Sequence, residues 1–196
     1  YKGRLDEDID EFINFAVDGA ERMRILISDL LRYSRVTTLN NPLEPTACSL
    51  ILDHVLTNMK IAIEECDAVV TYDKLPTVMA DETQLTLLFQ NLISNAIKFT
   101  PKNGEVNVNI EKRSEDADST EVKFSVSDTG IGITEEQKKN IFEAFGQADV
   151  STSRKYGGTG LGLSISGRFV ELMGGKLNIR SVPNEGSTFY FTLVFK

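Results

Sequence analysis

A heptad pattern of apolar residues near the start of the chain constrains the fold most strongly. Apolar residues recur at alternating steps of three and four from Ile9 to Leu30, the a/d pattern of a helix that packs against other helices. A second apolar row, which includes Leu5 and Tyr33, widens this face. The pattern predicts one amphipathic helix over residues 5–33, roughly 45 Å long at 1.5 Å per residue. Since one such helix cannot bury its own apolar face, we expect a partner upstream or in another copy.

Residues 37–45 (TTLNNPLEP) interrupt this pattern with Asn-Pro and Glu-Pro pairs, which are typical of a loop. We therefore divide the chain into three parts. Residues 1–38 are the helical part, residues 39–45 a linker, and residues 46–196 a second domain.

The second domain alternates helical and strand patterns, which indicates the α/β class. Three long helices are predicted over 49–66, 82–99 and 161–173, and a short helical piece over 141–145. Strands are predicted over 69–72, 78–80, 106–110, 122–126, 176–182 and 188–195. A polar loop is expected at 114–120, and residues 146–160 read as a long loop rich in Gly, Ser and Thr. The simplest arrangement is a two-layer α/β sandwich with a mixed sheet and three helices.

Composition excludes several classes of function. The 196 residues carry a formal net charge of -8, and an acidic surface repels nucleic acid, so we expect no nucleic-acid partner. No apolar run is long enough for a membrane helix. Cys48 and Cys66 are isolated from each other and from the single histidine, which is typical of free thiols in a reducing compartment.

The predicted helix over 82–99 carries a row of amide and ammonium groups. Asn91, Asn95 and Lys98 are spaced i, i+4, i+7 and therefore share one face, opposite the apolar face that includes Leu88 and Leu92. Such a row can hold Mg²⁺ and a phosphate chain, because Mg²⁺ prefers oxygen ligands. An ordinary solvated helix face is the alternative for this segment alone.

Asp128-Thr129-Gly130-Ile131-Gly132 follows directly after a predicted strand. A carboxylate there can accept a hydrogen bond from an exocyclic amine, and glycines let the backbone approach a flat base. A tight turn is the alternative interpretation.

Gly157, Gly158, Gly160 and Gly162 precede the last predicted helix. Glycine-rich backbone that opens a helix offers unpaired N–H groups to an anion. The dinucleotide fingerprint and the Walker loop are both disfavoured, because their required spacings and residues are absent.

Together, the order and spacing of these segments resemble the ATP-binding domain shared by sensor histidine kinases and, more distantly, by gyrase, Hsp90 and MutL. The matching segments are the N box at 91–100, the G1 box at 128–132, the F box at 142–145, the G2 box at 158–162 and the terminal element at 186–188. The resemblance covers the chain from about Thr46 to its end. It implies a Bergerat-type ATP-binding fold with ATP and Mg²⁺ as cofactors.

The resemblance also implies a role for each matching residue. Asn95 would coordinate Mg²⁺ with Asn91 beside it, and Lys98 would contact phosphate, so these three are the implied catalytic residues. Asp128 would bond the adenine amino group, while Gly130 and Gly132 would let the base approach. The other implied nucleotide-binding positions are Phe99, Ile133, Phe142, Gly158, Thr159, Gly160, Leu161, Gly162 and Thr188, the last of which would lie near the adenine.

The loop between Phe145 and Gly158 would be the ATP lid. Many members of the family carry Arg two residues after the F box, where this chain has Gln147. Our hypothesis is that Arg154 and Lys155 supply the missing positive charge.

The leading helix, which ends in LLRYSR, resembles the second helix of the kinase dimerisation hairpin. The family phosphorylates a histidine in a His-Glu/Asp-x-x-x-Pro motif on the first hairpin helix. The sequence contains no such motif, and its one histidine, His54, lies beyond the linker. We therefore expect the chain to be part of a longer protein and unable to phosphorylate itself.

In the intact protein, the resemblance implies a homodimer formed through the hairpin. The γ-phosphoryl group of ATP would pass to the hairpin histidine, and then to an aspartate on the receiver domain of a response regulator. The location would be cytoplasmic, with membrane contact only through a region upstream of Tyr1.

Two rival functions stay open. A GHKL-type ATPase of the MutL or gyrase kind usually carries Glu at the position of Asn91 to activate water, so Asn91 argues against it. A non-catalytic nucleotide-binding or dimerisation module is the second rival, and the intact boxes argue against it.

Overall fold

The computed structural model describes residues 12–17, 19–20, 23–24, 27–28, 30–31, 42–72, 75–116, 118–143 and 160–195. All described residues from 12 to 31 have helical backbone, in agreement with the heptad pattern. Their large apolar side chains are exposed, from 45% for Ile13 to 76% for Phe12. This apolar face is therefore uncovered by the described part of the chain. Leu5, Ile9, Tyr33 and linker residues 39–41 lie outside the described residues.

Five helices are defined in the described residues from 42 onward: α1 (Cys48–Asn58), α2 (Lys60–Cys66), α3 (Glu82–Phe99), α4 (Glu135–Lys138) and α5 (Gly162–Leu172). The boundaries of α3 are those predicted, because its start is encoded locally. The Asp81 carboxylate accepts hydrogen bonds from the backbone N–H groups of Thr83 at 2.9 Å and Gln84 at 3.2 Å, as an N-cap does. Glu82 in its first turn and Lys98 in its last turn also suit the helix dipole.

Seven strands form two sheets in the described residues: β1 (Glu44–Ala47), β2 (Val69–Tyr72), β3 (Thr77–Ala80), β4 (Glu105–Glu115), β5 (Thr120–Asp128), β6 (Asn178–Val182) and β7 (Gly186–Phe195). The main sheet has the order β2-β4-β5-β7-β6. The β2–β4 pair is parallel and the other three pairs are antiparallel. The sheet is therefore mixed, as predicted.

One face of the main sheet packs against the helices, and the fold is the predicted two-layer α/β sandwich. Alternate residues of β4, β5 and β7 are buried, and so is the apolar face of α3. At the centre, Phe124 stacks on Phe191 with ring centroids 4.9 Å apart, and Phe89 lies 6.1 Å from Phe124. Strand parity thus decides which side chains face α3 and which face away from it.

The structure differs from the predicted elements at the start of the second domain. The predicted helix over 49–66 is interrupted at Met59. Glu44 and Pro45, which were predicted to be linker, belong to β1, and β1 pairs with β3 in a separate two-stranded sheet. The division of the chain into domains stays a prediction.

Two further differences lie nearer the site. The strand β4 extends to Glu115 and β5 begins at Thr120, so the loop between them is shorter than the predicted loop over 114–120. Ile141 and Phe142 lie in a turn rather than in the predicted helical piece. The helix α4 precedes them instead, and its Thr134–Gln137 capping box is a start signal that the sequence reading did not use. Ala144 and Phe145 lie outside the described residues.

Candidate functional site

The amide row lies on α3, where the sequence placed it. Asn91, Asn95 and Lys98 are half-buried, while the opposite face of α3 enters the core. The Asn91 Nδ2 donates a hydrogen bond to the carbonyl oxygen of Gly162 at 3.5 Å, a distance at the limit of a weak bond. The amide row therefore faces the beginning of α5.

The beginning of α5 is open backbone. Gly160 has a φ of 74°, a left-handed conformation that favours glycine, and Leu161 anchors the segment because its side chain is buried. No side-chain hydrogen bond caps α5. A Cβ on Gly162 would lie 3.7 Å from Asn95 Nδ2, which is ordinary contact. The first turn of α5 thus leaves N–H groups that can bind an anion next to the amides of α3.

Asp128 ends β5 with its side chain buried on the same side of the sheet as α3. Its Oδ1 accepts hydrogen bonds from the backbone N–H of Gly130 at 2.9 Å and of Ser187 at 3.3 Å. No hydrogen bond within the described part of the chain ends on Oδ2. Burial raises the pKa of Asp128 above its ordinary value, and the two backbone donors oppose that rise. The carboxylate is therefore fixed through one oxygen, and the other can accept a hydrogen bond from a ligand.

The loop after Asp128 is enclosed by protein backbone. A Cβ on Gly130 would collide with the carbonyl oxygen of Phe99, and one on Gly132, whose φ is 65°, would collide with that of Val182. The backbone N–H of Ile131 donates to Phe99 O at 3.2 Å, and its carbonyl accepts from Asn184 N at 2.7 Å. These glycines are therefore required by packing within the protein. The approach of a base to them stays a prediction.

Thr188 and Ser187 lie on opposite faces of the main sheet. The Thr188 hydroxyl is 2.9 Å from that of Ser127, on the face turned away from α3. Ser187 pairs with Asp128 across β5 and β7 and is buried. The structure thus brings Ser187 beside Asp128. The position of Thr188 near the adenine stays a prediction. Strand alternation back from Phe191 and Phe189 is the sequence signal that would have identified Ser187.

Ser181 is a second residue that sequence reasoning missed. This buried side chain accepts a hydrogen bond from the backbone N–H of Ile133 at 2.8 Å and donates one to Gly186 O at 2.8 Å. Its hydroxyl also lies 3.0 Å from that of Ser187. It belongs to β6, far in sequence from Asp128, and no motif marks it.

The remaining predicted positions that the structure describes lie around the loop that follows Asp128. Ile133 and Phe142 are half-buried against the core, and the Phe142 ring meets that of Phe189 edge-on with centroids 6.5 Å apart. The Lys98 ammonium lies 5.0 Å from the centroid of the Phe99 ring. Burial lowers the pKa of Lys98.

Four predicted site residues, Arg154, Lys155, Gly158 and Thr159, lie outside the described residues. The predicted ATP lid and Gln147 lie there as well. Their roles stay predictions.

The site has two ends along α3. We define the carboxylate end as Asp128–Ile133 with residues 181–187, and the amide end as Asn91, Asn95 and 160–162. The contact of Ile131 with Phe99 places the first at the end of α3, and the Asn91 contact with Gly162 places the second two turns earlier. The two ends are about 12 Å apart along the helix axis, at 1.5 Å per residue. A ligand with an amine at one end and an anionic group at the other would suit this arrangement.

The chemistry of the amide end fits Mg²⁺. No group of three or more His, Cys, Asp or Glu side chains that could hold a metal occurs in the described ranges. Mg²⁺ does not need such a group, because it binds through one or two protein oxygens and completes its shell with water and phosphate. The amide oxygens of Asn91 and Asn95, beside an anion-binding helix start, suit that mode.

Known proteins are similar to this chain in sequence. Residues 80–196 match the profile of the family described as histidine kinase-, DNA gyrase B-, and HSP90-like ATPase. The chain is 43% identical over 194 residues to cyanobacterial phytochrome A of Nostoc, covering 98% of this chain and 24% of that protein. It is 36% identical over 187 residues to the signal transduction histidine-protein kinase BarA of Escherichia coli, covering 92% of this chain and 20% of the kinase.

A solved structure agrees with these sequence matches. The crystal structure of full-length ShkA in complex with AMPPNP superposes with a TM-score of 0.74 at 28% identity, covering 97% of this chain and 39% of that one. The chain thus spans about a quarter or less of the length of the two curated relatives. Among the described residues, no helix has the length and apolarity needed to cross a membrane.

Proposed function

Because the chain belongs to the histidine kinase-, DNA gyrase B- and HSP90-like ATPase family, we propose that it is the Mg-ATP-binding catalytic part of a sensor histidine kinase. The intact protein transfers the γ-phosphoryl group of ATP to a histidine on a helical hairpin. That phosphoryl group then passes to an aspartate of a response regulator.

The observation that carries this proposal is the Asp128 carboxylate. Two backbone N–H groups hold its Oδ1, which leaves Oδ2 to accept a hydrogen bond from the amino group of adenine. An acceptor that is buried and already oriented discriminates strongly, because a ligand without the amine leaves the acceptor unpaired.

The amide end supports the second half of the proposal. The first turn of α5 would bind the phosphates through its N–H groups, and Lys98 would add a positive charge. Asn95, with Asn91 beside it, would hold Mg²⁺, which supplies charge neutralisation along the phosphate chain.

The phosphoryl transfer itself needs little covalent chemistry from this domain. A nitrogen of the acceptor imidazole attacks the γ-phosphorus, the bond to the β–γ bridging oxygen breaks, and ADP leaves. The domain contributes orientation and electrostatic stabilisation of the transferred group.

The hairpin and its partners complete the proposal. Residues 1–38 would form the second hairpin helix, and pairing with a second copy would bury the apolar face that is exposed in the described residues from 12 to 31. The receiver domain of a response regulator would be the second partner. We place the activity in the cytoplasm.

A phosphotransfer assay tests this proposal. The full chain is mixed with γ-labelled ATP, Mg²⁺ and a separate two-helix hairpin that carries an H box. Label on the hairpin histidine supports the proposal. Release of labelled phosphate without transfer indicates an ATPase. If label is neither transferred nor released, the chain is a non-catalytic module. The matched control is Asp128→Asn, which is expected to lose transfer.

A further inference from the structure

The buried hydroxyl of Ser181 joins three segments that surround Asp128. Serine has one donor and two acceptor positions. Ser181 donates to Gly186 O at 2.8 Å and accepts from Ile133 N–H at 2.8 Å. Since its only proton is used, the 3.0 Å contact with Ser187 must be a bond that the Ser187 hydroxyl donates. Every position of the Ser181 hydroxyl is therefore occupied.

The partners of Ser181 lead directly to Asp128. The backbone N–H of Ser187 is one of the two donors to Asp128 Oδ1. Gly186, with a φ of 114°, is so close that a Cβ on it would collide with the Asp128 carbonyl oxygen. Ile133 closes the loop that begins with Gly130, the other donor. Both donors to Asp128 thus belong to segments that Ser181 holds together.

The backbone of Ser181 is anchored as well. Its carbonyl oxygen accepts a hydrogen bond from Lys138 Nζ at 2.6 Å, and that ammonium also contacts Glu135 at 2.6 Å. The Lys138 side chain is only 17% exposed. The helix α4 therefore covers the outer edge of β6 at this residue, and Ser181 has little freedom to move.

We infer that Ser181 is a positioning residue for base recognition, which sets the orientation of the Asp128 carboxylate and the Ser187 hydroxyl without touching the ligand. The inference rests on the proposed function. Without the hydroxyl, the Ile133 N–H, the Gly186 carbonyl and the Ser187 hydroxyl lose a common partner. The amine acceptor then loses its fixed direction, whereas the amide end is unaffected.

Ser181→Ala tests this against a matched control. Thr46→Val also removes a buried hydroxyl, whose oxygen lies 2.9 Å from Glu44 O and 3.1 Å from Ala80 O in the separate two-stranded sheet. The affinities of ADP and inosine diphosphate, which has an oxygen in place of the amine, are measured for both variants with Mg²⁺ present. Ser181→Ala should reduce the ADP preference about tenfold, the size expected for losing an oriented buried hydrogen bond. Thr46→Val should leave the preference unchanged.

The outcomes separate this inference from the proposed function. A wild-type chain that does not bind ADP contradicts both. Suppose that the wild-type chain prefers ADP and the Asp128→Asn variant does not. If Ser181→Ala then keeps the wild-type preference, only the role of Ser181 is overturned. If Ser181→Ala lowers the affinities for ADP and inosine diphosphate equally, Ser181 has a purely structural role and the inference is also overturned.

A second measurement needs no variant and covers the case in which Ser181→Ala does not fold. If the Ser181 network orients the base acceptor, base binding must strengthen the network in return. Amide hydrogen exchange of Ile133 in the wild-type chain should slow when ADP is added. The Thr83 amide, which donates to Asp81 at 2.9 Å, should not respond. Unchanged exchange at Ile133 in the presence of bound ADP would contradict the inference.

Discussion

Gly186 and Gly162 show how differently the two ends of the site are built. At the carboxylate end, a Cβ on Gly186 would collide with backbone, as it would on Gly130 and Gly132. At the amide end, a Cβ on Gly162 would meet only the Asn95 amide, at 3.7 Å. The hydrogen bonds differ in the same way, since Ser181 is bonded at 2.8 Å and Asn91 reaches Gly162 only at 3.5 Å. The contrast indicates a tightly packed carboxylate end and a less constrained amide end, which we propose to be the base acceptor and the Mg-phosphate site.

The largest expected difference between the ends is in stability. Gly186→Ala should lower the free energy of unfolding by about 3 kcal/mol, from positive-φ strain and overpacking. Gly162→Ala should change it by less than about 1 kcal/mol, because space exists and alanine favours helices. Urea denaturation of both variants measures the difference. Equal losses would remove the contrast.

The next largest effect is on nucleotide affinity and concerns the carboxylate end. Asp128→Asn keeps an acceptor at Oδ1 but turns a donor toward the adenine amine. We expect ADP affinity to fall by about 2–3 kcal/mol, or roughly 30- to 150-fold, as measured by calorimetry. Asp53→Asn is the control, since Asp53 is exposed and its hydrogen bonds within the described residues are to Tyr72 and Thr57. Parent-like affinity in Asp128→Asn would contradict a base-reading role.

Asn95→Ala alters the amide end and leaves the carboxylate end intact. We expect about a tenfold loss of ADP affinity with Mg²⁺ present, and little change for adenosine, which has no phosphates. Asp128→Asn should weaken both ligands. The two variants are compared by titration with each ligand, with and without Mg²⁺. If Asn95→Ala weakens adenosine as much as ADP, the ends are not separate.

The smallest expected effect is on the pH dependence of stability. Burial raises the folded-state pKa of Asp128, so this residue contributes stability that is present below its unfolded pKa and lost as pH rises through its folded pKa. The free energy of unfolding of the parent, relative to Asp128→Asn, should therefore decline from acid toward neutral pH. Denaturation across that range checks the sign. A relative stability that rises with pH would contradict it.

Much of the fold was readable from local signals. The N-cap at Asp81 and the apolar spacing after it gave α3 correctly, and the alternation of β5 placed Asp128 at a strand end. The family assignment from the order of the boxes is confirmed by the profile match over 80–196. These features depend on neighbours in sequence, so one sequence suffices to read them.

Contacts between distant segments could not be predicted from the sequence. The family motif indicated Thr188, and this motif takes no account of strand parity. Strand parity places Ser187 beside Asp128. The sequence predicted a ligand-related role for Gly130 and Gly132, which stays a prediction. It did not show that Phe99 and Val182 exclude side chains at these positions. Ser181 carries no signal, because its importance depends on the β6–β7 turn meeting the loop after Asp128.

A calorimetric titration of the intact chain with ADP and, separately, inosine diphosphate in the presence of Mg²⁺ tests whether Asp128 recognises the adenine amine. A carboxylate that reads the adenine amine predicts heat from ADP and binding of inosine diphosphate that is roughly 30-fold weaker or more. If ADP gives no heat, or if both nucleotides bind with the same affinity, Asp128 does not have this role.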